Sequence, residues 1–244
     1  MSPGSPLSAS FNPSYASDEK ESTYLSRIRM INWIRLGLAF VILGAAAAIV
    51  GCEAVPLHHY RSTSSFGQYW LYLWPLNFDL RPTNALLSCG AVIVFQALVY
   101  IIATLLPSPH PRTRLLNILS TAVSCGGFIA AVTGIAFAIY LPSSTYPSGF
   151  TENETLHSWT CRWKSMRGLN ILDEDGTPLR APDHFPRDCV ETRAGFILLG
   201  LLIGLEVMMG AAAAAGWWVE IDVRRRRQAE KVKLGRVEVS AKGP

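Results

Sequence analysis

Apolar residues gather in four long blocks, 30–52, 84–106, 116–141 and 194–219, separated by polar connections. A bilayer core needs roughly 20 helical residues, and each block exceeds that. The pattern predicts an all-α membrane protein, a four-transmembrane-helix bundle. Around it lie a disordered cytoplasmic tail (1–29), outer loops at 53–83 and 142–193, an inner loop at 107–115 and a basic cytoplasmic tail at 220–244. Residues 1–29 are polar and precede a block too long for a signal-peptide core, so the first span is expected to act as a signal anchor.

Composition agrees with a membrane solvent: half the residues are apolar and 16% are charged. The net charge of +4 is segregated. The inner loop holds His110, Arg112 and Arg114 with no acid, and the C-terminal tail opens on Arg224, Arg225, Arg226 and Arg227. The loop at 142–193 carries six basic residues against eight acids. Positive-inside reasoning puts both termini in the cytoplasm and sets the arginine run against anionic lipid, in the plasma membrane or an endomembrane. Segregated charge of this kind speaks for a membrane surface, not nucleic acid. Asn153-Glu154-Thr155, a glycosylation sequon, falls on the side charge assigns to the lumen.

Five cysteines are present, and only Cys161 and Cys189 fall clearly in a soluble loop. An oxidising compartment favours a bridge between them, contributing on the order of 3 kcal/mol in the chain-entropy model; two free thiols are the alternative. Within the loop, residues 169–179 read as a hairpin turning at Asp175-Gly176. The acidic triplet Asp173-Glu174-Asp175 lacks the spacing of a calcium loop and reads as a solvated turn. His58-His59 is a weak metal signal, and His157 with His184 would need a third ligand the sequence does not name. No metal or cofactor is expected. Six aromatics among residues 66–78 suit the headgroup layer or a cap on the bundle.

Glu206 stands at the middle of the fourth block and Gln96 near the middle of the second. An acid at that depth faces the bundle interior. Two readings follow: an interhelical clamp between Glu206 and Gln96, or a proton or cation relay, which normally needs several ionisable groups. Small-residue pairs, Gly200/Gly204 in the fourth block, Gly126/Ala130/Gly134 in the third and Gly44/Ala48 in the first, allow close helix approach. Phosphate loops, H-E-x-x-H, G-x-S-x-G and C-x-x-C are all absent from the sequence. No enzyme is expected.

The plan resembles the tetraspanins in topology, without their Cys-Cys-Gly motif or second loop disulfide. Leu73-Trp74-Pro75 with Phe78-Asp79-Leu80-Arg81-Pro82-Thr83, and Ser158-Trp159-Thr160-Cys161-Arg162-Trp163, resemble a group of uncharacterised fungal four-span membrane proteins. That resemblance implies the topology and no activity. The expected function is a non-enzymatic scaffold or organiser that meets other membrane proteins, or its own copies, through loop 142–193. The alternative is a small transporter or channel subunit using Glu206 and Gln96.

Overall fold

A computed structural model describes residues 13–64, 74, 78–106, 113–140, 154–165 and 183–241. In chain order the elements are α1 (Pro13–Ser64), β1 (Phe78–Asp79), α2 (Arg81–Leu105), α3 (Thr113–Tyr140), β2 (Glu154–Thr155), α4 (Leu156–Ser165) and α5 (Phe185–Ala241). Helices α1, α2, α3 and α5 carry stretches long and apolar enough to cross a membrane: Ser26–Ser64, Arg81–Leu105, Thr113–Ile139 and Phe185–Arg225. The protein is thus an all-α membrane bundle.

The four long helices form a ring: α1 packs on α2 and α5, and α3 closes it against the same two. Glu53, Thr83, Ala138 and Arg193 meet at one end, whereas Arg35, Asn117 and Glu220 meet at the other. Successive spans therefore run antiparallel, as short connections require. The core stripe of α1 is Ala39, Ile42, Ala46 and Ile49, at three- and four-residue spacing. It packs against Ile93, Ala97 and Tyr100 of α2 and Leu199, Leu202 and Met209 of α5. The outward faces are also apolar: Trp33, Phe95, Ile129, Ile197 and Trp218 are exposed. Helices apolar all round are built for lipid.

Four sequence boundaries shift. Residues 13–29, expected to be disordered, are helical and continuous with the first span. Pro13 opens the helix where its missing N–H costs nothing, and a span already nucleated extends easily through Ala16, Glu19, Lys20 and Glu21. Helix α1 also runs past residue 52 to Ser64, and α5 starts at Phe185 and continues through the basic tail to Ala241. Hydropathy marks where lipid ends; a helix continues while its backbone bonds and packing do. The extensions of α1 and α5 pack on one another beyond the apolar blocks, joined where His59 Nδ1 meets Asp188 Oδ1 at 2.9 Å.

Candidate functional site

A small cap closes the bundle at the end of the 142–193 loop. Strands β1 and β2 pair in parallel, Phe78 with Glu154 and Asp79 with Thr155, tying the first loop to the third. Thr155 caps α4: its hydroxyl accepts from the Ser158 N–H at 3.2 Å, and Ser158 Oγ accepts from the Thr155 N–H at 2.8 Å. The predicted disulfide is present, joining Cys161 of α4 to Cys189 of α5. Trp74, Leu156 and Phe185 are buried beneath the cap, with Tyr60, Phe78 and Trp159 packed around them. Trp74 donates from Nε1 to Thr63 Oγ1 at 2.9 Å. Of the aromatic run, Trp74 and Phe78 therefore serve the cap; residues 66–73 lie outside the described residues.

Below the cap is a cavity of about 240 Å3 where α1, α2, α3, β2, α4 and α5 converge. Its polar lining is Glu53, Thr83, Thr155, His157, Thr192 and Arg193. Glu53 is 1% exposed, and neither carboxylate oxygen has a hydrogen-bond partner among the described residues. Thr83 stands beside it without hydrogen-bond geometry to either oxygen. Gly195 gives the carboxyl its room, because a Cβ there would lie 2.9 Å from Glu53 Oε1. Glu53 sits one residue past the first apolar block, where sequence reading assigns it to a solvated loop; the run-on of α1 is what buries it.

His157 sits 2.9 Å from Thr192 Oγ1 through Nδ1. The Thr192 hydroxyl lies 3.0 Å from the Asp188 carbonyl and donates to it, so it accepts from His157 Nδ1–H. Burial, then the Arg193 cation, push the His157 pKa below its ordinary value. A neutral imidazole that donates to a threonine does not activate it, so this pair is not a nucleophile and its base.

Deep in the membrane, Glu206 is fully buried and both its oxygens lack hydrogen-bond partners among the described residues; Gln96 Oε1 is likewise unpartnered. The two do not clamp one another. Each rests on one of two adjacent glycines of α3. A Cβ on Gly126 would lie 2.6 Å from Gln96 Nε2, and one on Gly127 would lie 2.1 Å from Glu206 Oε1. Only the Glu206 backbone is bonded laterally, accepting from Ser124 Oγ at 2.7 Å. Glu206 is not among the residues that line the cavity below the cap.

The far end of the bundle holds a charge the hydropathy pattern conceals. Arg35, inside the first apolar block, is 1% exposed. It donates to Asn117 Oδ1 at 2.7 Å and, from Nε and Nη2, to the Ala212 carbonyl at 3.2 and 2.8 Å. A further bond runs from Nη2 to the Ala213 carbonyl at 3.1 Å. Asn117 Nδ2 then donates to Glu220 Oε2 at 2.7 Å, and Glu220 also pairs with Arg224. Arg224 is thereby engaged within α5, while Arg225 is exposed.

Asn153, the 169–179 hairpin and the 173–175 triplet lie outside the described residues. So do the Arg226 and Arg227 side chains. Among the small-residue pairs, Gly134 packs on Leu199 and Cys89, whereas added Cβ atoms on Gly44, Gly200 and Gly204 would meet nothing within 4 Å. No family model matches the chain, and no curated protein or solved structure matches it either.

Proposed function

We propose that this integral membrane protein is a non-enzymatic tetraspan scaffold that recognises partner membrane proteins through the loop at 142–193, with both termini in the cytoplasm. The observation that carries the reading is the enclosure of Glu206: its carboxyl is fully buried against Gly127 and stands apart from the lining of the cavity below the cap. A conducting acid must reach water, and one packed against a helix backbone is suited to a closed bundle. The disulfide from Cys161 to Cys189 fixes α4 to α5 and gives the loop a rigid base for recognition. Gly200 and Gly204 leave a face of α5 open to lateral contact with a second chain or a partner helix. The run of arginines at 224–227 suits the end of α5 to anionic lipid.

The test is purification from native membranes in mild detergent, followed by mass spectrometry of the wild type and a Cys161→Ser/Cys189→Ser variant. Partners that copurify with the wild type and are lost from the variant support the scaffold. Proton- or cation-driven flux in proteoliposomes, abolished by Glu206→Gln, would replace it with the transporter reading.

A further inference from the structure

Three side chains of metal-ligating type, from two distant parts of the chain, meet beside the cap. His59 lies near the end of α1, His184 immediately precedes α5 and Asp188 stands in the first turn of α5. Each offers one donor atom, and these atoms all lie within 4.8 Å of one another. We propose that His59, His184 and Asp188 bind one divalent transition-metal ion, and that the ion is zinc.

Two imidazoles and a carboxylate form a borderline-soft N2O set, suited to zinc and ill suited to calcium or magnesium, which take oxygen cages. Bonds of about 2.0–2.2 Å at the tetrahedral angle hold ligand atoms about 3.3 Å apart. The cluster spans that value, from 2.9 Å between His59 Nδ1 and Asp188 Oδ1 to the 4.8 Å limit for the set. Small side-chain movements would bring the three donor atoms to that spacing.

A second observation points the same way. His184 Nε2 is buried and has no hydrogen-bond partner among the described residues. Buried imidazole nitrogens are ordinarily satisfied, and a coordinate bond is one way to satisfy them.

The supports are rigid. The His184 ring lies 4.6 Å from that of His59 and 5.2 Å, edge to face, from that of Phe185. Phe185 in turn packs on Trp74. The His184 carbonyl accepts the Asp188 N–H at 2.9 Å, fixing the turn that carries two of the ligands. One carboxylate against a dication leaves one positive charge, and three protein ligands leave a fourth position for water or a partner's side chain. Bound zinc would clip the end of α1 to the start of α5.

The experiment uses the full chain in detergent, without a polyhistidine tag and stripped with EDTA. Zinc is titrated by calorimetry, and bound metal is counted by mass spectrometry. The expected result is one zinc per chain, with affinity weakened at least about tenfold by His184→Gln or His59→Gln, since even an outer-shell change costs that much. His58→Gln, altering the exposed neighbouring histidine, should bind as the wild type does. Co2+ added to the wild type should give the intense visible bands of a tetrahedral site, a readout that needs no variant to fold. Substoichiometric zinc, unchanged affinity in both variants, or a six-coordinate aqueous cobalt spectrum would each overturn the proposal and leave His59 and Asp188 as a plain hydrogen-bonded pair.

Discussion

Arg35 occupies the space that a side chain at position 216 would need: a Cβ on Gly216 would lie 2.0 Å from Arg35 Nη2 and 2.7 Å from Asn117 Oδ1. The cation reaches the α5 backbone only because that residue is glycine. Its bonds to the Ala212 and Ala213 carbonyls follow from that approach. A guanidinium taken out of water depends on acceptors of this kind.

Gly216→Ala should therefore be much more disruptive than its size suggests. Displacing the guanidinium strands a buried charge, which costs about 3–5 kcal/mol. Gly204→Ala, on the same helix, meets nothing within 4 Å and should change stability by about 0.5 kcal/mol at most. Thermal unfolding in detergent, followed by the fluorescence of Trp217 and its neighbours, compares the two. Equal midpoints would mean that Arg35 is not held through this gap.

Glu206 yields the opposite expectation. Its carboxyl is buried with no partner on either oxygen among the described residues, so it already bears an uncompensated desolvation cost. Replacing an unsatisfied buried polar group by an apolar one of similar shape is neutral or stabilising. Glu206→Met should leave the unfolding midpoint unchanged or raise it. A fall of several degrees would show that the acid has a bonding partner in the membrane, as a clamp requires.

Sequence pattern exposed the spans because lipid demands a continuous apolar surface, and the Cys161–Cys189 bridge because those two thiols stood clearly in one soluble loop. Helix ends were not legible, since hydropathy reports the solvent and not the backbone. Arg35 was hidden inside an apolar block, and its acceptors Asn117 and Ala212 lie 82 and 177 residues away in sequence. Hydropathy places Glu53 in a loop because the run-on of α1 leaves no apolar signal. Gln96 and Glu206 share a depth as the pattern suggested. Their separation onto Gly126 and Gly127 depends on helix rotation, which depth alone does not fix.

The disulfide joins α4, a helix of ten residues, to the bundle. So short a helix is marginal alone and relies on its attachments. Cys161→Ser/Cys189→Ser should lower stability by about 3 kcal/mol for a closed loop of this length. Limited proteolysis should then cut first in the residues between the two positions. A wild-type digestion pattern from the variant would show that the apolar packing of Trp74, Leu156 and Phe185 holds the cap unaided.

His157 gives stability a pH dependence of definite sign. Its pKa in the fold is depressed, first by burial and then by Arg193, below the 6.5 of the free side chain. Between those two values the unfolded chain binds more protons than the native one. Stability attributable to this residue is therefore intact above about pH 6.5, declines as the pH falls through that value, and levels off below the folded pKa. The difference between wild type and His157→Asn isolates the effect from other histidines. Asn places an N–H donor near the position of Nδ1, so the bond to Thr192 survives while the titration is removed. Unfolding midpoints measured from pH 8 to pH 5 should converge at the alkaline end, with the wild type falling away below about pH 6.5. Parallel curves would mean that the imidazole is equally at ease charged in the fold and in water, and that the cavity it lines is wetter than its burial implies.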